Sequence, residues 1–171
     1  MEESLIQNNG NDNNCVDKSI NNDIYDNADK NADVGNLRGI NASCDNAYQY
    51  SPLSLAYIGD SVLDLMVKSY FVINTNKQTY KYHKDVSNIV KAVNQAKFID
   101  MIMDELSEEE VDVYKRGRNT TTHSKAKNAT LGEYRKATGL EALFGYMYLK
   151  GDTGRLKMFV DRMIDDYLNS K

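Results

Sequence analysis

Residues 53–71 carry apolar side chains around most of a helical circumference: Leu53, Leu55, Ala56, Ile58, Val62, Leu63, Leu65, Met66, Val67, Tyr70 and Phe71. A helix that is apolar almost all round has to be enclosed by other elements. The pattern therefore predicts a central, buried helix with a bundle built around it. Ser51-Pro52 supplies its start, because serine can cap a first turn and proline suits the first helical position. One residue in the run is out of character. Asp60 follows Gly59 among apolar neighbours, and an ionised Asp there is costly to bury unless a cation or hydrogen-bond donors offset the charge. The stretch Ala137-Thr138-Gly139-Leu140-Glu141-Ala142-Leu143-Phe144-Gly145 makes the same choice with Glu141. Two helices that each offer one buried acid point to a metal site.

The rest of the pattern is also helical. Val86, Ile89, Val90, Val93, Ala96, Ile99 and Ile102 follow one stripe of helical period. Ser107-Glu108-Glu109-Glu110 is a capping box that opens a short helix ending at Gly117, within a Lys115-Arg116-Gly117-Arg118-Asn119 loop. A further helix covers 131–149 and is broken by Gly151-Asp152-Thr153-Gly154. The last helix has the clearest stripe: Leu156, Phe159, Val160, Met163, Ile164, Tyr167 and Leu168. With no strand alternation of useful length, the expectation is an all-α fold of five to seven helices over residues 47–171.

Residues 1–46 contain twelve Asn, nine acids, three bases and a single aromatic, Tyr25. Such a composition cannot bury enough apolar surface to offset ordering, and it predicts a disordered tail. The tail carries −6 of a formal net charge of −4, so residues 47–171 are about +2. The acidic balance of the whole chain thus says little against a nucleic-acid partner. Cys15 and Cys44 both fall in this segment, so no disulfide framework or CxxC clip can be drawn through the core. That usage fits a reducing cytoplasm. The start Met1-Glu2-Glu3-Ser4 leads into no apolar h-region, and no stretch approaches the roughly 18 apolar residues of a membrane span. A cytoplasmic protein with no membrane partner is expected.

Two constellations carry the candidate chemistry. Asp60 and Asp64 are four apart on one helical face, a mildly destabilising like-charge pair unless something positive sits over them. If the helices bearing Asp60 and Glu141 cross, the two acids meet. Mg²⁺ suits such a site, because it takes one or two protein carboxylates and completes its octahedron with water and phosphate oxygens. The second constellation is basic. Between Lys115 and Lys136 stand seven bases against one acid, Glu133, a block able to neutralise phosphates. Set against these readings are the ordinary ones, a salt-bridged acid and a solvated charge run. His83, between Tyr82 and Lys84, reads as a surface or capping residue and is a further candidate for RNA contact.

Three collinear segments, Ala56-Tyr57-Ile58-Gly59-Asp60-Ser61-Val62, Lys115-Arg116-Gly117-Arg118-Asn119 and the run from Tyr134-Arg135-Lys136 through Glu141 to Leu149, resemble Mini-ribonuclease III, the short relatives of ribonuclease III that lack its RNA-binding domain. The resemblance implies an all-α, ribonuclease III endonuclease-like helical bundle that dimerises and cuts double-stranded RNA with Mg²⁺. Its typical product is the matured end of the large-subunit (23S) ribosomal RNA precursor, with ribosomal proteins as further partners. Asp60 and Glu141 fall on the family's metal-binding, catalytic carboxylates. A metal-activated water would leave a 5′-phosphate and a 3′-hydroxyl. Ala56 and Thr138 stand where full-length ribonuclease III has further acids, as in the short relatives, so the number of metals stays open. Asp64 is then the candidate supporting acid, and Arg116, Arg118, Asn119, Lys125 and Lys127 the RNA contacts. The alternatives are a non-catalytic dimeric RNA-binding or ribosome-assembly module of the same fold, and a helical protein-interaction domain.

Overall fold

The computed structural model describes residue 44 and residues 46–121 and 129–171. Their regular structure is helical throughout: α1 (Pro52–Asn74), α2 (Thr79–Val90), α3 (Ala92–Ile102), α4 (Glu108–Asn119), α5 (Leu131–Lys150) and α6 (Thr153–Asn169), with 3₁₀ turns at Ala47–Gln49 and Met103–Glu105. None of the described helices is long and apolar enough to cross a membrane.

The caps follow from the side chains. Ser51 accepts from the Ser54 N–H at the start of α1, with Pro52 in the first turn. Capping boxes open α4, from Ser107 and Glu110, and α5, from Thr130 and Glu133. Gly151, at φ 83°, ends α5 in the left-handed conformation that glycine adopts without steric cost.

The enclosed helix is α5. It packs most extensively on α1, then on α4 and α3, and it buries Ala137 to Leu140 and Ala142 to Met147 without interruption. The expectation of a central α1 is corrected. Leu55, Leu63, Val67 and Phe71 are buried, but Leu53, Tyr57, Leu65, Val72 and Ile73 lie exposed along the opposite side. Glycine explains why α5 took the centre. A Cβ on Gly59 would sit 1.8 Å from the Glu141 carbonyl oxygen, and one on Gly145 would sit 2.0 Å from the Leu55 carbonyl oxygen. On the other side of α5, a Cβ on Gly117 would meet the Ala142 Cβ at 2.6 Å, and one on Gly139 would meet the Tyr114 ring at 2.6 Å. The bare backbone at these positions lets α1 and α4 close on α5 from two directions.

Three further expectations are revised. The stripe from Val86 to Ile102 is two helices, because Lys91 adopts an extended conformation (φ −67°, ψ 144°) between α2 and α3. Gly117 lies in no loop: α4 runs on to Asn119, and Gly117 is buried against α5. Cys44 is no tail residue. It is buried, and its N–H donates to the Leu149 carbonyl at 2.7 Å. Beside it Ala47 enters the core.

Candidate metal centre

The crossing of α1 and α5 assembles the site. With Gly59 against the backbone of Glu141, the next residue on α1, Asp60, stands beside the Glu141 side chain, close enough for its charge to act on that carboxyl. The two acids differ in setting. Glu141 is half-buried, whereas Asp60 is exposed as a residue, so the expectation of two buried acids holds only in part. The surrounding protein still displaces water from the Asp60 carboxylate, and this, followed by the charge of Asp64 one turn on, pushes its pKa above the ordinary range. Glu141 is moved further. Burial, then the charge of Asp60, push it up to about 7, against the opposing hydrogen bond from Gln95.

Asp64 pairs with Lys68, four residues along the same helix, which absorbs part of the like-charge conflict. Position 56 is a buried alanine. Thr138, also buried, donates its hydroxyl to the Tyr134 carbonyl at 3.1 Å and is turned to its own helix. Among the described residues no cluster of three or more His, Cys, Asp or Glu side chains could hold a metal ion.

Gln95, on α3, is the residue the sequence reading missed. It is 1% exposed, and its Nε2 donates both to the Val90 carbonyl at 2.8 Å and to Glu141 Oε1 at 3.1 Å. Its Oε1 is buried without a partner among the described residues. An orphaned amide oxygen is unfavourable unless some further donor or bound water completes it. The available signal was a glutamine at a core position of the α3 stripe, between Val93 and Ile99.

This donor set fits Mg²⁺. Two carboxylates leave most of an octahedron to water and phosphate, the arrangement that ion favours. A closed zinc site or an all-protein calcium cage would need more protein ligands. Asp60 and Glu141 are the residues that would hold it.

The candidate RNA contacts are less uniform than the charge block suggested. Arg116 donates to the carbonyls of Tyr48 (2.8 Å) and Tyr50 (3.0 Å) and stacks over the Tyr48 ring, tying the segment before α1 to α4. Arg118, at the end of α4, lies over the Tyr114 ring and donates to Asn119 Oδ1 at 3.2 Å. Lys136 is bonded to Asp100. His83 is exposed on α2, far in sequence from the basic block. Lys125 and Lys127 lie outside the described residues.

The fold finds its counterparts in known proteins. The family model "Ribonuclease III domain" matches residues 53–152. Mini-ribonuclease 3 of Clostridium tetani is 44% identical over 124 residues, covering 71% of this chain and 82% of that protein. The protein of the same name from Staphylococcus aureus is 38% identical over 116 residues, 67% of this chain and 87% of its own length. An X-ray crystal structure of a Fusobacterium nucleatum protein superposes with a TM-score of 0.63 at 31% identity, over 68% of this chain and 93% of that one. The all-helical core, the glycine-mediated crossing and these matches agree: the chain belongs to the ribonuclease III family, as an endoribonuclease of its Mini-ribonuclease 3 group.

Proposed function

We propose that this endoribonuclease cuts double-stranded RNA with Mg²⁺ as a homodimer, and that its substrate is the precursor of large-subunit ribosomal RNA. The observation that carries the reading is the contact of Gly59 with the α5 backbone, which sets Asp60 beside Glu141. A bound Mg²⁺ would supply Lewis-acid stabilisation of the phosphodiester and a water of lowered pKa.

The chain's own residues do the rest. Asp60 and Glu141 present the negative charge that draws the cation. Gln95 fixes the Glu141 carboxylate through Oε1 and is itself anchored to the Val90 carbonyl. Arg118 and Asn119, at the exposed end of α4, are suited to phosphate contact, and the wide minor groove of duplex RNA is read through phosphates and 2′-hydroxyls. The ribosomal substrate is supported by the resemblance to Mini-ribonuclease 3. Dimerisation is supported by the uncovered apolar side of α1, where Tyr57 is 80% exposed beside Leu53 and Leu65; soluble monomers rarely leave such a strip open.

The test is cleavage of a long RNA duplex, then of a ribosomal RNA precursor with mapped product ends. Wild-type protein is expected to cut with Mg²⁺ and not with EDTA, and Asp60→Asn to stay folded and lose cutting. Cutting at the wild-type rate by Asp60→Asn overturns the assignment. RNA binding that leaves the duplex intact, with and without Mg²⁺, would instead identify the non-catalytic module.

A further inference from the structure

A second charged feature lies outside the acid pair and outside the α4–α5 basic block. Between α2 and the end of α6 runs an open groove of about 680 Å³. It is lined by Lys77, Lys81, Lys84, Lys91 and Lys171 against a single acid, Asp85. That acid is spent internally. Asp85 is buried and accepts from Lys77 Nζ at 2.9 Å, from Lys171 Nζ at 2.6 Å and from the Tyr167 hydroxyl at 3.1 Å. It fastens the end of α6 to α2 and offers no charge to solvent. Lys81, Lys84 and Lys91 are exposed and have no carboxylate partner among the described residues, and the Lys91 ammonium donates to the Asn88 amide oxygen at 3.3 Å.

From Lys81 to Lys91 the charges extend over about 15 Å of helix, long enough to meet several successive phosphates of a duplex, which carries a charge every few ångströms. The groove and the acid pair share the corner between α2 and α3. Asn94 lines it, and the next residue, Gln95, is bonded to Glu141. The corner between α2 and α3, whose Val90 carbonyl holds Gln95, thus separates the lysine groove from the acid pair.

We propose that this groove is a second phosphate track, which grips the flank of the RNA duplex whose scissile bond lies at Asp60 and Glu141. The inference rests on the reading of the substrate as double-stranded RNA. Charge complementarity favours RNA over an acidic polypeptide, since ammonium groups spaced along a helix suit the regular phosphates of a duplex.

The test is the double variant Lys81→Ala/Lys84→Ala, which removes two exposed charges and no ion pair. Binding of a long RNA duplex is measured in EDTA over a range of salt, and cleavage is measured with Mg²⁺. Expected are a loss of affinity of about tenfold or more and a drop of about 2 in the slope of log K against log salt, close to one unit per lost phosphate contact. In cleavage, KM should rise with kcat retained. Trimming the duplex towards the scissile position should close the gap between variant and wild type. Unchanged affinity and salt slope overturn the proposal and leave the groove to an acidic partner. A gap that persists on the shortest RNA that is still cut overturns the assignment to the flank. If wild-type protein fails to cut duplex RNA with Mg²⁺, the underlying reading has failed instead, whatever the variant does.

Discussion

At the scale of single residues, Gln95 and Glu141 act as a unit. Gln95→Met keeps the volume but removes both donors and the orphaned oxygen, so stability should change little while the Glu141 carboxylate loses its fixed orientation. Cleavage is expected to fall about 10- to 100-fold, the usual cost of losing a group that orients a metal ligand, in single-turnover rates with a matching rise in the Mg²⁺ needed. Glu141 also sets a pH dependence. Its folded-state pKa of about 7 lies above the ordinary value of about 4.3, so between these limits the folded chain holds more protons than the unfolded one. Stability of the metal-free protein must therefore decline as pH rises through this window. Metal binding runs the other way, because the ligand must be ionised. Mg²⁺ affinity measured by calorimetry should increase from pH 6 to pH 8 with proton release, and Glu141→Gln should abolish that release while raising the melting temperature of the metal-free protein at pH 8.

At the scale of elements, helix crossings decide most of what matters. Gly59→Ala forces a Cβ against the Glu141 carbonyl, so α1 and α5 must separate. The loss of stability is expected at or above the ~1–3 kcal/mol typical of overpacking, seen as a lowered denaturation midpoint, with cleavage lost alongside. Between α2 and α6, Asp85 is held down to about 2. Its bonds with Lys171, Lys77 and Tyr167 outweigh the burial that opposes them. Its stabilisation is complete above the ordinary Asp value of about 3.9 and is lost as pH falls towards 2. Asp85→Asn should flatten that part of the acid-unfolding curve. These elements also show how far sequence carries. Ser51-Pro52, the Ser107 to Glu110 box and the stripe from Leu156 to Leu168 were legible because each is decided within a few residues. The break at Lys91 was not, since neither glycine nor proline marks it. Gly117 reads as a helix end in sequence because its real reason, contact with Ala142 of α5, is tertiary. Asp60 and Glu141 were legible as misplaced acids; Gln95 was not, because a glutamine on an apolar stripe gives no sign of the partner that justifies it.

At the scale of the whole molecule, the open side of α1 predicts the assembly. Tyr57→Lys should convert a dimer to a monomer in sedimentation, with thermal stability of the single chain changed by less than a few degrees, because Tyr57 makes little contact within it. Unchanged sedimentation would move the dimer contact elsewhere. The glycine crossing has a consequence for how the enzyme fails. The helices that carry Asp60 and Glu141 are set by backbone resting on backbone at Gly59 and Gly145, and the Gln95 bond that orients the Glu141 carboxylate comes from α3, itself packed on α5. Loss of alignment then requires the helices themselves to part, which for a domain of this size accompanies cooperative unfolding. Heat inactivation and loss of helical signal should therefore follow one curve, with no temperature range in which the protein is folded but idle.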